Sequence, residues 1–140
     1  MLNTILKAAE NFCIHQIRSE HTVNDDSTDL RTVIAYIDTK SEHSSTHRVY
    51  IACDEVLIQQ ISEIFLGEDE SDEETLIDMA LETANMIVGS AKVLASEEEN
   101  VHFNISTPHF VKFDLFDLDC DQRKLIEVNG QSMIIAIKEQ

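Results

Sequence analysis

A narrow row of polar residues lies within residues 71–96, a stretch that is free of proline and contains a single glycine. Its members recur at i, i+4, i+7 and i+11, so they share one face if this stretch is helical. This polar stripe consists of Asp78, Glu82, Asn85, Gly89, Lys92 and Ser96. A carboxylate pairs with cations, whereas a carboxamide both donates and accepts hydrogen bonds. The two groups, one helical turn apart beside a glycine that permits close approach, are able to act together on a bound partner.

The polar stripe by itself also fits a simple solvated face, since acidic and amide side chains commonly cover the outer side of amphipathic helices. The spacing between the polar stripe and a more distant proline helps to distinguish a functional surface from a solvated face. Asp78, Glu82 and Asn85 precede Pro108, the only proline of the chain, in the order Asp-x3-Glu-x2-Asn-x22-Pro. Four residue types at fixed spacing form a more specific pattern than an isolated Glu-x-x-Asn. This longer pattern favours a functional surface.

The pattern resembles the signature of the CheC/CheX/FliY phosphatases, and of their CheX-like members in particular. These enzymes remove the phosphate from the aspartyl-phosphate of chemotaxis response regulators such as CheY. Residues 85–89 (NMIVG) are also similar to that family. The resemblance is specific in residues only between Asp78 and Pro108, although the order of elements extends it over most of the chain. One departure is that relatives often carry a glycine soon after the motif proline, where this chain has His109 and Phe110.

The resemblance implies a role for each matching residue of the third helix. Glu82 is expected to pair with the active-site lysine of the receiver domain, which sets the depth at which Asn85 orients the attacking water. Asp78 is expected to contact the partner at the rim or to stabilise the helix. Gly89 is expected to allow close packing of the partner, and Met86 to belong to the same partner-binding surface.

The resemblance also implies the cofactor and partners of the chain. Pro108 is expected to be structural rather than catalytic. The partner is expected to be a phosphorylated CheY-like receiver domain that holds the Mg²⁺ needed for the reaction, so this chain holds no cofactor of its own. CheX-like proteins pair by extending the sheet, which implies a homodimer here.

Two alternatives to an enzyme would use the same helix without catalysis. In the first, the chain is a non-catalytic adaptor or flagellar-switch component that binds a receiver domain. It is otherwise a general interaction module whose Met79, Met86 and Val93 are exposed beside the polar stripe and engage another helix. Binding alone does not require a carboxamide at position 85, so the presence of Asn85 favours the enzyme.

The composition excludes several classes of protein. A chain of 140 residues with 43% hydrophobic and 26% charged residues is predicted to form one globular domain over residues 1–140. Its net charge of −17 argues against nucleic-acid and anionic membrane partners, which require cationic surfaces. No apolar run approaches the roughly 18 residues of a membrane span, and the N-terminal segment is not a signal peptide. Cys13, Cys53 and Cys120 form no Cys-x-x-Cys motif, which predicts reduced thiols and a cytoplasmic location.

Two groups of potential metal ligands are predicted to bind no metal. His43 and His47 are four residues apart, but they flank a polar stretch in which no helix is expected, and no cysteine or third histidine lies near. Asp117, Asp119 and Asp121 alternate as in a calcium-binding loop, yet glycine is absent from the sixth position and glutamate from the twelfth. We therefore predict that the chain itself holds no metal.

Hydrophobic periodicity places three helices in the chain. The first covers residues 2–18, the second follows an Asp54 cap and ends before Gly67, and the third covers residues 71–96. Ser71 and Glu74 are predicted to form a capping box, while the acidic residues 97–100 are predicted to form a frayed loop. The core positions predicted on the third helix are Leu76, Ile77, Ala80, Ala84, Ile87, Val88, Ala91, Leu94 and Ala95, and those on the second are Val56, Leu57, Ile61, Ile64 and Phe65.

Alternating and β-branched segments predict the strands. They lie at residues 32–37 and 48–52 as one hairpin, at 101–105 and 110–118, and at 124–128 and 132–137 as a final hairpin across Asn129-Gly130. This order predicts an α+β fold of the CheC/CheX type, with an antiparallel-rich sheet covered by two or three long helices. The apolar residues 134–137 are expected to form an exposed sheet edge, which together with the resemblance predicts a symmetric dimer joined through the sheet.

Overall fold

The computed structural model describes residues 1–41 and 45–140, which form three α-helices and a seven-stranded antiparallel sheet. The predicted α+β class is therefore confirmed. The helices are α1 (Leu2–Phe12), which continues as a π-helical turn (Cys13–Ile17), α2 (Glu55–Leu66) and α3 (Glu73–Glu99). The strands are β1 (His21–Asn24), β2 (Thr32–Ser41), β3 (Thr46–Asp54), β4 (Phe103–Ile105), β5 (His109–Asp114), β6 (Gln122–Val128) and β7 (Gln131–Glu139).

The strands follow the order β1-β6-β7-β3-β2-β4, and β5 pairs with the same edge of β2 as β4 does. Both predicted hairpins, β2–β3 and β6–β7, are confirmed. Asn129 and Gly130 connect the second hairpin with φ angles of 53° and 77°, the left-handed conformation that a tight hairpin turn requires. The sequence prediction lacks β1, because four residues of mixed polarity give no strand pattern.

The sheet is covered on both faces. The three helices lie on one face and enclose the main hydrophobic core. Residues 115–121 lie against the other face, where Phe116 packs with Tyr50 and Ile134. Strand β7 runs between β3 and β6, so the prediction that residues 134–137 form an exposed edge is wrong. The terminal strands are β1 on one side and β4 with β5 on the other.

The predicted ends of α2 are confirmed. The Asp54 carboxylate accepts a hydrogen bond from the backbone N–H of Leu57 at 2.8 Å and one from the backbone N–H of Ser132 at 2.5 Å. Asp54 therefore caps α2 and ties its first turn to β7. Gly67 ends the helix with a φ of 71°, in the left-handed region that glycine adopts without strain.

The buried face of α2 is narrower than predicted. Leu57 and Ile61 are buried as expected, and Ile58 and Ser62 complete the face. Val56, Ile64 and Phe65 are 52%, 47% and 38% exposed, so their prediction as core residues is wrong. The row of Leu57, Ile58, Ile61 and Ser62 contacts the sheet and α3, and the remaining apolar positions fall on the flanks of the helix.

The predicted capping box of α3 is wrong by one residue. The cap is Asp72, whose carboxylate accepts a hydrogen bond from the backbone N–H of Thr75 at 2.8 Å. Hydrogen bonds from Thr75 lower the pKa of the Asp72 carboxyl. Ser71 instead bonds through its hydroxyl to that of Ser62 at 2.7 Å, which links the start of α3 to α2.

The C-terminal end of α3 is longer than predicted. The helix continues through the acidic residues to Glu99, and Asn100 ends it with a φ of 52°. Lys7 of α1 pairs with Glu98 at 2.7 Å, and the Thr4 hydroxyl donates to Glu99 at 3.0 Å. Contacts with α1 therefore offset the unfavourable position of acidic residues at a helix C-terminus.

The two caps allow a test of what holds the helices to the sheet. We expect Asp54→Ala to lower the free energy of unfolding by roughly 2–4 kcal/mol, because it removes a cap and leaves the N–H of Ser132 without its partner. Asp72→Ala removes an exposed cap only, so its loss is expected to be smaller. Urea unfolding of both variants is the measurement. Equal losses would show that the bond to Ser132 contributes nothing.

Candidate functional site

Helix α3 presents the polar stripe to solvent. Asp78, Glu82 and Asn85 are exposed, and none of them forms a hydrogen bond or ion pair with another side chain among residues 1–41 and 45–140. The opposite side of the helix is packed, with Ala84 and Val88 fully buried. The solvated interpretation of the stripe is thus correct for the isolated chain, and it leaves these groups available to a partner.

The spacing along the helix sets the separation of the functional groups. Glu82 and Asn85 are three residues apart, which places their Cβ atoms about 5–6 Å from one another on the same face. Asp78 lies one turn before Glu82, about 6 Å along the axis at 1.5 Å per residue. A carboxylate and a carboxamide therefore project side by side from a helix whose other face is fixed by the core.

The apolar residues beside the stripe do not form the exposed surface that a general helix-binding module needs. Met79 is only 4% exposed, so the prediction that it is available for binding is wrong. Met86 is half-buried and lies against the crevice between α1 and α3, near Phe12 and His15. Val93 is 53% exposed, as predicted.

Gly89 lies on the outer surface of α3 with open space around it. A Cβ built at this position would meet no atom within 4 Å, outside the neighbouring residues and the backbone of its own helix. Packing inside the chain therefore does not require a glycine here. Glycine in a helix interior is about 1 kcal/mol less favourable than alanine. The fold carries this penalty at a position where a missing side chain clears the surface between Asn85 and Lys92.

Pro108 lies in the break between β4 and β5, which pair with one edge of β2. Ile105 is opposite Thr39, and His109 is opposite Tyr36. Between them Ser106 bridges the break, because its backbone N–H donates to the carbonyl of Asp38 at 2.8 Å and its hydroxyl accepts from the N–H of Asp38 at 2.9 Å. A residue without an N–H is tolerated in such a break. Pro108 is on the sheet edge rather than on α3.

The residues that follow Pro108 form a strand without the glycine common in relatives. The imidazole of His109 stacks on Tyr36 with 5.0 Å between ring centroids. One irregularity interrupts the β2–β5 pairing between Ile34 and Ala35, and the register then continues. Phe110 is 40% exposed. The chain after Pro108 therefore forms a strand with one irregularity in its pairing to β2.

The two groups of residues that were predicted not to bind a metal lie in different parts of the fold. His43 lies outside the described residues, and His47 is on β3 opposite Thr39. Asp117 and Asp119 form ion pairs with lysines of β5 and β7, which lower the pKa of both carboxyls. Within the described part of the chain, no group of three His, Cys, Asp or Glu side chains is placed to hold a metal ion.

The cysteines offer no activated nucleophile. Cys13, Cys53 and Cys120 are all free thiols. Burial raises the pKa of Cys13 to about 11, and it raises that of Cys53 further. Protonated thiols are poor nucleophiles.

One cluster of basic side chains was not predicted from the sequence. Lys92 of the polar stripe lines a groove together with Lys40 of β2 and His102, which precedes β4. These residues are far apart in the sequence, and only the pairing of β4 with the end of β2 brings them together. No local pattern predicts such a cluster.

None of the helices in the described ranges is long and apolar enough to cross a membrane.

The open space at Gly89 predicts that a larger residue at this position stabilises the protein. We expect Gly89→Ala to raise the free energy of unfolding by about 1 kcal/mol, because alanine has the higher helix propensity and its methyl group meets no atom. Urea unfolding of the two proteins is the measurement, with Ser90→Ala as a neighbouring control. A destabilised Gly89→Ala protein would show that the glycine is needed for packing.

Comparison with known proteins identifies the family. A family model described as "Chemotaxis phosphatase CheX" matches residues 33–135. No curated protein sequence matches the chain. Among solved structures, the chain is similar to the chemotaxis protein CheX from Vibrio vulnificus, with a TM-score of 0.83 and 22% identity over 99% of this chain and 95% of that chain.

Two further solved structures share the fold. One is the CheX–CheY–BeF3–Mg²⁺ complex from Borrelia burgdorferi, with a TM-score of 0.72 and 17% identity over 99% of this chain and 97% of that chain. The other is FliY from Thermotoga maritima, with a TM-score of 0.62 and 16% identity over 97% of this chain and 84% of that chain. The predicted family is confirmed: the chain belongs to the CheX family of chemotaxis phosphatases.

Proposed function

We propose that this protein hydrolyses the aspartyl-phosphate of a CheY-like receiver domain. The observation that carries the proposal is the pair of Glu82 and Asn85, exposed and unpaired within the described chain, one turn apart on a helix fixed by the core. Membership of a family named for chemotaxis phosphatase activity supports the reaction. The solved complex of the Borrelia burgdorferi CheX with CheY supports the class of partner.

The hydrolysis requires little covalent chemistry from the protein itself. An acyl phosphate hydrolyses through a loose transition state, in which the attacking water has to be in line with the leaving oxygen. An Asn carboxamide does not remove a proton at neutral pH, but it accepts from and donates to a water and so fixes its direction. Asn85 supplies this orientation. Glu82 pairs with a lysine of the receiver and thereby sets the depth at which Asn85 enters the partner's active site.

The energy required is within reach of positioning alone. A hundredfold acceleration corresponds to about 2.7 kcal/mol of barrier. Holding a reactant in the productive geometry commonly contributes more than that. Because the packed face of α3 prevents the helix from rotating, little further ordering is needed when the receiver docks.

We place the Mg²⁺ of the reaction on the receiver. Mg²⁺ prefers octahedral oxygen coordination, and the polar stripe offers only the carboxylates of Asp78 and Glu82 one turn apart, without a third carboxylate or histidine in the described chain placed to join them. The ion, when bound to the receiver, neutralises charge on the phosphoryl oxygens. The residues of this chain act on the water and on the docking contact. The free thiols fit a cytoplasmic location.

A receiver-binding adaptor is the second candidate. The likeness to FliY from Thermotoga maritima favours it, since the fold is not confined to proteins named CheX. An adaptor would use the same exposed carboxylates of Asp78 and Glu82 for docking. It would have no use for a carboxamide at position 85, so the two candidates differ at Asn85.

We further propose a homodimer joined through the edge formed by β4 and β5. One side of β5 pairs with β2, and the other side carries no strand within the described residues. Phe110 is exposed there, and unpaired apolar edge strands tend to find partners. Sedimentation at tens of micromolar, roughly where weak dimers form, is expected to show a dimer that Phe110→Lys weakens. A monomeric wild-type protein contradicts this arrangement.

Substitutions at the two central residues separate the enzyme from the adaptor. We expect Asn85→Ala to reduce the acceleration of receiver dephosphorylation at least about a hundredfold, to near the spontaneous rate, while binding is largely retained. Glu82→Ala is expected to weaken both, because losing one member of an ion pair weakens docking and misplaces Asn85. The measurement is decay of a phosphorylated receiver, with a parallel titration of the receiver loaded with BeF3 and Mg²⁺.

The outcome is interpretable because both residues face solvent. Neither substitution is expected to change the free energy of unfolding by more than about 0.5 kcal/mol, which urea unfolding checks. A folded Asn85→Ala protein with undiminished hydrolysis would make the polar stripe a docking surface only.

The clearance at Gly89 gives an independent test of close docking. Gly89→Ala is expected to weaken receiver binding even though it stabilises the helix, since the added methyl group occupies the contact surface. Ser90→Ala, one residue away and outside the stripe, is the control. Identical affinities for Gly89→Ala and wild type would show that the partner does not approach this part of α3.

A further inference from the structure

A groove lies beside the C-terminal half of α3, where the ends of β2 and β4 meet the helix. Its volume is about 800 Å³, and it is open to solvent. The half-exposed Val93 contributes apolar surface to it, Phe103 lies at its lining but is buried, and Lys40 and Lys92 contribute charge. His102 also lines the groove, and its Nδ1 lies 3.3 Å from the Ser96 hydroxyl, which orients the ring. The groove is therefore a mixed apolar and cationic surface.

The two lysines are unusual in this acidic chain. The sequence contains 10 Lys and Arg against 27 Asp and Glu. The cations that form ion pairs with described carboxylates are Lys7, Arg31, Arg48, Lys112, Lys124 and Lys138. Arg18, Lys40, Lys92 and Arg123 have no such partner within the described chain, and two of these four line the same groove. Glu97 lines it as well but pairs with neither lysine.

The groove is continuous with the polar stripe. Lys92 follows Asn85 by seven residues, which places it on the same helix face about 10 Å further along the axis. A typical interface buries about 800 Å² on each partner. A partner of that size centred on Asn85 would therefore reach Lys92 and the groove beside it.

We propose that Lys40 and Lys92 form a second docking site, which receives an acidic surface segment of the same receiver domain. The proposal rests on the proposed function, because the receiver is the partner that brings this segment to the groove. Charge complementarity favours such an occupant over a basic or neutral one. The surrounding chain, with its net charge of −17, repels acidic partners, so two lysines at this point direct their approach to the stripe.

The apolar part of the groove favours a protein segment over a small free anion. A small anion gains nothing from the exposed Val93, whereas a peptide segment with an apolar side chain between its carboxylates contacts both Val93 and the two lysines. The open shape of the groove suits a chain that passes along it rather than an enclosed ligand.

Charge reversal tests the proposal. We expect the double variant Lys40→Glu/Lys92→Glu to bind the receiver loaded with BeF3 and Mg²⁺ at least about tenfold more weakly at low salt, with the difference shrinking as ionic strength rises. The matched control is Arg18→Glu/Arg123→Glu, which changes the net charge equally by reversing the other two unpaired cations.

Each outcome is decisive. If the control weakens binding as much as the groove variant, the effect belongs to the overall charge and the proposal fails. If the groove variant binds normally while Asn85→Ala loses hydrolysis, the second docking site is wrong and the phosphatase stands. If the groove variant binds weakly while wild type fails to accelerate hydrolysis, the docking site stands and the phosphatase is wrong. Titration with inorganic phosphate that is lost in the groove variant, without any change in receiver affinity, would identify a small-anion site instead.

Discussion

Small residues on the buried side of α3 determine where the helix lies and in which direction the polar stripe points. Ala80, Ala84, Ala91 and Ala95 are all at most 4% exposed, and their short side chains let the helix approach the sheet and α1 closely. A rotation by one residue, about 100°, would carry polar side chains of the helix toward the core. Burying an unpaired carboxylate is strongly unfavourable. The packing of the alanines and the solvation of Glu82 therefore specify the same orientation.

The rest of the fold maintains this arrangement through both faces of the sheet. The helices cover one face, and residues 115–121 cover the other through the buried Phe116. The exposed ion pairs of Lys112 with Asp117 and of Lys138 with Asp119 flank this packing. Both pairs lower the pKa of their carboxyls, so their stabilisation is present above the ordinary carboxyl pKa and is lost as the pH falls through the lowered values. Most Lys and Arg side chains of this acidic chain form such ion pairs within the described residues. Lys40 and Lys92 of the groove differ from them in having no such partner there.

Features that depend on neighbouring residues were predictable from the sequence. The cap at Asp54, the end of α2 at Gly67 and the turn at Asn129-Gly130 each follow from local backbone chemistry, and so does the polar stripe, because helical spacing alone aligns it. The start of α3 was misplaced by one residue because Ser71 and Asp72 are both good caps, and the bond between Ser71 and Ser62 that decides between them is invisible in the sequence.

Features that depend on distant residues could not be predicted. The extension of α3 to Glu99 rests on Thr4 and Lys7, the burial of β7 rests on its two neighbouring strands, and the groove rests on the meeting of α3 with β2 and β4. The pair of Glu82 and Asn85 was recognisable from the sequence because the two residues are close along one helix, whereas the cationic surface beside them required the fold.

We propose that α3 places the carboxamide of Asn85 beside the phosphoryl group of a bound receiver. A crystal structure of this protein with its receiver, loaded with BeF3 and Mg²⁺, measures that placement directly. The account predicts the Asn85 carboxamide within hydrogen-bond reach, about 3 Å, of a water in line with the Asp–BeF3 bond, and the Glu82 carboxylate paired with a lysine of the receiver. A receiver bound to another face of the protein, or docked on α3 with Asn85 too far away to contact that water, would contradict it.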